Sequence, residues 1–210
     1  MNNESISKAE KFWDRAAKSY DREEKKDEKI YQQILEKLNT HLKSTDHVLD
    51  FGCGTGLISN KLTTVVEKIH GIDVSSKMIE IAREKAKNQS LKNITYEHAT
   101  LFDNRLEQGT YDAVLSFYIL HLLDDAQMAI EKTHELLKTD GLLISVTPCM
   151  GEKPLMKSLF AFLSKLKLVP KIKSFKQNDL VQLLTTAGFE IIVNEKLSNT
   201  SNQYFIVAKK

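Results

Sequence analysis

From His47 onward the chain alternates short apolar runs with stretches of helical spacing. Runs rich in β-branched residues at His47–Phe51, Lys68–Ile72, Ile94–His98, Tyr111–Phe117 and Gly141–Thr147 predict strands. The segments Gly56–Leu62, Ser76–Asn88 and Asp124–Leu137 predict helices between most of them. Such alternation implies right-handed βαβ crossovers and therefore an α/β, doubly wound, mostly parallel sheet with helices on both faces. Near the end, Asn178–Ala187 reads as a helix stopped by Gly188, and Glu190–Lys196 with Gln203–Ala208 as a β-hairpin. Ahead of the first strand, Ser7–Leu42 reads as helix with one interruption. Ala9, Phe12, Trp13, Ala16, Ala17 and Tyr20 form one stripe, and Ile30, Tyr31, Ile34, Leu35, Leu38 and Leu42 a second. Between them lie nine consecutive charged residues, Asp21 to Lys29, whose mixed sign predicts a solvated face or linker.

Composition narrows this only slightly. A chain of 210 residues can bury its own core, and a formal net charge of +2 makes no electrostatic case for nucleic acid, so no nucleic-acid partner is expected. Cys53 and Cys149 stand far apart without a C-x-x-C or paired histidines, which fits neither a disulfide framework nor a zinc site. The polar, acid-bearing start Met1–Ser5 lacks the signal-peptide pattern, and no apolar run approaches the ~20 residues of a membrane span. A cytoplasmic protein is the expectation.

The candidate chemistry sits where the first strand ends, in Val48-Leu49-Asp50-Phe51-Gly52-Cys53-Gly54-Thr55-Gly56. Three alternate glycines let a ligand lie against bare backbone, and a helix starting at Thr55 or Gly56 would aim free N–H groups at it. Ile69-His70-Gly71-Ile72-Asp73 ends a second strand in a carboxylate, where a doubly wound nucleotide site places its ribose-binding acid. Asp73 could equally cap the helix announced by Ser75 and Ser76. Dinucleotide sites use G-x-G-x-x-G, whereas here the spacing is G-x-G-x-G with Asp50 at its entrance. A carboxylate there repels a pyrophosphate and suits an adenosyl ligand carrying an amine and a sulfonium, namely S-adenosylmethionine.

With these residues the chain resembles the class I, Rossmann-like S-adenosylmethionine-dependent methyltransferases, in particular the group that includes ubiquinone and menaquinone biosynthesis enzymes. The resemblance continues through Gly71–Ile79, Tyr111–Ser116 and Gly141–Val146 and spans roughly residues 10 to 196. It implies a seven-stranded sheet with the last strand antiparallel. It also implies two regions: N-terminal helices over residues 1–45 that cover the cofactor, and a Rossmann-like domain over 46–210. The resemblance gives Gly52 a backbone contact to the methionine amine, Asp50 an orienting role, Asp73 the ribose hydroxyls, and Val74 and Met78 the adenine ring. Gly54, Gly56, Tyr20 and Ser116 complete the expected cofactor set. The family's usual acid after the third strand is replaced by Ala99 or Thr100, so the adenine contact there falls to the Thr100 hydroxyl or to backbone groups. The Asp/Asn-Pro-Pro-aromatic signature of nucleic-acid amino-methylating enzymes is absent from Ser116–His121, which favours a small-molecule acceptor.

His121 is the candidate general base, because imidazole titrates near working pH; the bland alternative is a partly buried histidine opening a helix. Pro148-Cys149 matches the nucleophile of pyrimidine C5-methyltransferases only as a dipeptide, without companion motifs. The connection at about 150–176, apolar at Leu155, Leu159, Phe160 and Phe162 and lysine-rich at Lys157, Lys165, Lys167, Lys171, Lys173 and Lys176, reads as a lid over the acceptor. Such a lid suits an apolar or anionic acceptor, or peripheral contact with an anionic membrane surface. The alternatives are a protein or RNA methyltransferase and a non-catalytic module that binds the same cofactor.

Overall fold

The computed structural model describes residues 3–24, 28–152, 172–198 and 201–210. Seven strands form one sheet: β1 (His47–Phe51), β2 (Lys68–Asp73), β3 (Ile94–His98), β4 (Tyr111–Phe117), β5 (Leu137–Pro148), β6 (Glu190–Lys196) and β7 (Gln203–Lys209). Their order is β3-β2-β1-β4-β5-β7-β6; β1 to β5 pair in parallel, and β7 runs antiparallel to both β5 and β6. The sequence of crossovers reverses direction between β1 and β4, and in such sheets the crevice at that switch point is where ligands bind.

Alternation along each strand divides the core into two layers. On one face Val48, Ile69, Leu115, Ile144 and Phe205 pack beneath Ile34 and Leu38 of α2 (Glu28–His41) and Leu62 of α3 (Ser59–Leu62). On the other, Leu49, Val114, Leu143 and Ile206 lie under α5 (Ala126–Leu136) and α6 (Gln177–Thr186). Covered from both sides, β4 needs an apolar residue at nearly every position, which is why Tyr111–Phe117 reads as a continuous run. The helices start where local capping dictates: the Ser75 hydroxyl accepts from Met78 N (3.1 Å) at α4 (Ser76–Asn88), and Asp125 accepts from Met128 N (3.0 Å) at α5. At the sheet edge Arg83 of α4 donates from its guanidinium to the carbonyl of Tyr96 in β3 (2.9 and 2.7 Å), blunting that strand.

Two expectations are corrected. The helix expected over Gly56–Leu62 begins only at Ser59, because Gly56 sits at φ +76°, outside helical space. Strand β5 starts at Leu137 rather than Gly141; its polar opening is held by ion pairs of Lys138 with Asp112 (2.7 Å) and of Lys209 with Asp140 (2.6 Å). The apolar stripe expected on α1 (Asn3–Glu24) is its covered face: Ala17 is buried and Ala9, Phe12, Trp13, Ala16 and Tyr20 are half-buried, while Lys8, Lys11, Arg15, Lys18 and Arg22 are exposed on the other side. Acids of α1 also attach it to α4 and the glycine loop, as detailed below. Most of the lid segment falls at 153–171, outside the described residues.

Gly56 marks the tightest packing in the loop. A Cβ there would stand 2.2 Å from the Tyr96 hydroxyl, which is itself fixed by donating to Asn60 Oδ1 (2.7 Å). Gly56→Ala combines left-handed backbone strain with overpacking, each ~1–3 kcal/mol, so the urea midpoint should drop by an amount equivalent to about 2–5 kcal/mol. Adding Tyr96→Phe should recover part of that loss, read as a positive coupling in a double-mutant cycle.

Candidate active site

The glycine loop is stitched to the neighbouring strand before any ligand is considered. Gly52 N and Cys53 N both donate to Ile72 O (2.9 and 3.0 Å), which brings the loop against the end of β2. There Gly54 N donates to Asp73 Oδ2 (3.0 Å) and Ser75 N to Asp73 Oδ1 (2.8 Å). Each carboxylate oxygen keeps a further lone pair for another donor. Asp50, one strand over, is 3% exposed and accepts from the Ser59 hydroxyl. Burial pushes its carboxyl up to about 7, with Ser59 pulling down and the charge of Asp73 pushing further up. Asp73 is raised by burial too, against the pull of the Ser75 and Gly54 N–H groups. Two acids that resist ionising side by side create a site where a cation is favourable.

The bare face of Gly54 looks toward one side chain. A Cβ on it would meet only Cε1 of Tyr20, at 3.7 Å. Tyr20 is carried by α1, which is pinned over the crevice at two points. Asp14 Oδ1 accepts from Ser75 Oγ (2.6 Å) and Lys77 N (3.1 Å), and Asp21 accepts from Thr55 Oγ1 (2.5 Å) while pairing with Lys85. The space bounded by Tyr20, Tyr31, Asp50, Gly52, Phe117 and Tyr118 is about 30 Å³, the share of one water molecule, whereas ligand pockets run to ~300–1,000 Å³. As it stands, α1 closes the crevice over the glycine loop. A wider groove of about 580 Å³ runs along α4 and β3 past Arg83, Lys87, Lys92 and Glu97, but it is open to solvent and lacks the paired acids.

The other sequence-nominated residues fall as follows. The Val74 carbonyl pairs with His98 Nε2 (2.9 Å), and Met78 is 2% exposed beneath the first turn of α4. Thr100 turns its hydroxyl to accept from Phe102 N (3.2 Å) in a local turn. Ser116 ends β4, 1% exposed, opposite Ser145 of β5. His121 lies in a 3₁₀ turn, Leu120–Leu122, that follows β4; it is 8% exposed, and burial pushes its ring down to about 4. Its carbonyl accepts from Lys173 N (2.7 Å), while its Nδ1 has no hydrogen-bond partner among the described residues. Sequence reasoning missed Asp14, Asp21 and Ser59. The seven-residue spacing of Asp14 and Asp21 places them on one helix face, a signal available in the sequence; Ser59 offered none beyond a polar residue in an apolar run.

A bare glycine loop with one buried and one half-buried acid at the switch point of a doubly wound sheet defines a Rossmann-like protein built for a cationic adenosyl ligand. The sequence profile described as "Methyltransferase domain" matches residues 42–196, and the chain belongs to that family, whose methyl donor is S-adenosylmethionine. A malonyl-[acyl-carrier protein] O-methyltransferase of Bacillus cereus is 30% identical over 142 residues, 66% of this chain and 51% of that protein. A ubiquinone biosynthesis O-methyltransferase of Pelagibacter ubique is 33% identical over 100 residues, covering 48% of this chain and 41% of its own. The chain thus spans about half the length of the curated relatives it matches. A solved S-adenosylmethionine-dependent methyltransferase of Methanosarcina mazei shares the fold with TM-score 0.68 at 22% identity, over 82% of this chain and 96% of that one. Among the described residues no helix is long and apolar enough to cross a membrane.

Two measurements probe the site directly. At Gly54 an alanine methyl makes only ordinary contact with Tyr20, so Gly54→Ala should fold with a loss of only about 1–2 kcal/mol from its φ of +54°. Its affinity for S-adenosylhomocysteine should nevertheless fall at least tenfold by calorimetry. The raised Asp50 carboxyl predicts a pH dependence. Protonation of Asp50 favours the ligand-free fold, a contribution present below the ordinary carboxylate range and lost as pH rises through about 7. A cationic ligand needs the ionised form, so S-adenosylmethionine affinity should weaken by up to about tenfold per unit as pH drops below 7. Asp50→Asn should flatten that slope.

Proposed function

We propose that this domain methylates a small, apolar or anionic acceptor, with His121 as general base. The observation that carries this reading is the imidazole itself: buried, neutral and with Nδ1 unpartnered among the described residues, in the turn that follows the carboxyl end of β4. The pattern at Ser116–His121 lacks the amide-proline signature of base-methylating enzymes, and two relatives are named for O-methylation of an acyl-carrier-bound malonyl group and of a ubiquinone precursor pathway step.

When bound, S-adenosylmethionine supplies a methyl carbon activated by its sulfonium, which leaves with the bonding pair as a neutral thioether. The chain's own task is then binding, alignment and exclusion of water, and orientation of this kind is worth ~7–11 kcal/mol of a barrier. Asp73 would take the ribose hydroxyls with the lone pairs its backbone donors leave over. The main chain at Gly52, Gly54 and Gly56 would lie against the methionine portion, and Asp50 would face its positive end. Tyr20 and the rest of residues 1–45 would close the cover, leaving residues 46–210 as the catalytic region, with Val74, Met78, Thr100 and Ser116 around the cofactor. His121 would accept the acceptor's proton on Nδ1 as its oxygen or carbon pair attacks the methyl.

Turnover to S-adenosylhomocysteine, followed across a panel of alkyl carboxylic acids, phenols and quinols, tests the reading. Asp73→Ala should weaken cofactor binding at least tenfold, since hydrogen bonds to a charged group contribute ~1.5–3 kcal/mol each. His121→Ala should lower kcat about 10²–10⁴-fold while leaving S-adenosylhomocysteine affinity unchanged. Because the ring is neutral above about pH 4, kcat at saturating cofactor should stay level from pH 5 to 8. Unchanged turnover in the His121 variant would remove it as the base.

A further inference from the structure

Among the described residues five buried side-chain atoms lack a hydrogen-bond partner, and four of them belong to β4, β5 and the turn that follows β4: Ser116 Oγ, His121 Nδ1, Ser145 Oγ and Thr147 Oγ1. Defects of packing would scatter; these gather at the carboxyl ends of β4 and β5. Ser116 and Ser145 are register partners, so their side chains leave the sheet on the same face as neighbours. Thr147 follows Ser145 by two residues and shares that face. Tyr118 N donates to Val146 O (2.8 Å), which carries the turn bearing His121 alongside the end of β5. The face is that of Val114 and Leu143, with Leu120, Leu123, Phe175 and Tyr204 of the same apolar layer nearby. All three hydroxyl residues are at most 1% exposed.

Buried polar groups in folded proteins are satisfied by protein, water or ligand. We propose that Ser116, Ser145, Thr147 and His121 form the seat for the head group of the methyl acceptor, and that this head group is a protonated oxygen acid, a carboxylic acid or a phenol, on an apolar body. The inference rests on the small-acceptor reading above and names its substrate class. Three hydroxyls can turn to donate to one or two acceptor oxygens, and a neutral imidazole nitrogen can receive the remaining O–H. Charge excludes a cationic head group. The buried acid Asp50 is in register with Leu115 and so faces the opposite layer, and among the described residues the buried polar ones include no lysine or arginine. Among these residues an ammonium would go uncompensated.

The test uses the intact chain saturated with S-adenosylhomocysteine and three probes: 4-propylphenol, octanoic acid and octylamine. Titration calorimetry should show binding of the phenol or the carboxylic acid, telling the two sources apart, and none of the amine. The double variant Ser145→Ala/Thr147→Val should bind that probe at least tenfold more weakly. It should keep its S-adenosylhomocysteine affinity and a Tm equal to or above the parent's, because it gives up hydroxyls that bond nothing within the protein. Equal probe binding by the variant overturns the seat alone, as does a Tm drop of several degrees, which would mean that the hydroxyls hold ordered water only. Failure of both oxygen probes to bind the parent overturns it as well; the small-acceptor reading is judged separately by product formation in the His121 experiment.

Discussion

Two carboxylates on adjacent strand ends, brought within each other's field, one buried and one half-buried, are the constraint on which this molecule is organised. Neither is comfortable: burial raises both, and each raises the need for positive charge between them. The loop that separates them has no side chains on its inner surface at Gly52, Gly54 and Gly56, and positive φ at all three keeps the main chain curled toward Asp73. Sheet pairing supplies the rest. Asp50 stands opposite Gly71 and Leu115, so its position is set by strand register and not by its own contacts. The fold holds the acids in place whether or not a ligand relieves them.

Much of this was legible in the chain because strand and loop signals are local. β1, β3, β4 and β6 occupy the residues that alternation and β-branching mark, and the crossover argument gives the parallel order without tertiary information. Misreadings came where a non-local partner decides. The loop after β1 delays its helix to Ser59 because Gly56 is held left-handed under Tyr96, a residue forty positions away. The first residues of β5 look like a polar turn, Lys138-Thr139-Asp140, and become strand because Asp112 and Lys209 stand ready to pair with them.

The site was half legible for the same reason. Glycine spacing and the two acids are sequence features, so their meeting could be foreseen. The Ser59 contact to Asp50 and the clustering of Ser116, Ser145 and Thr147 depend on which strands lie side by side, and no spacing along the chain encodes that. One face of β2 and β3 shows the limit of analogy between crossovers. No helix spans Ala99–Thr110 between β3 and β4, and in its place a polar network closes the edge, with His70 Nδ1 against the Tyr111 hydroxyl (2.8 Å) and Arg105 paired to Glu97 (3.0 Å) and Asp103 (2.9 Å).

The manner in which α1 is fastened has its own outcome. Beside its half-buried apolar stripe, α1 is fastened by Asp14, Asp21 and their hydroxyl, amide and lysine counterparts, bonds that can be traded for water at small net expense. Exchange of spent donor for fresh can then proceed by the swing of one helix, as a local opening far below the free energy of global unfolding, while the seven strands stay locked.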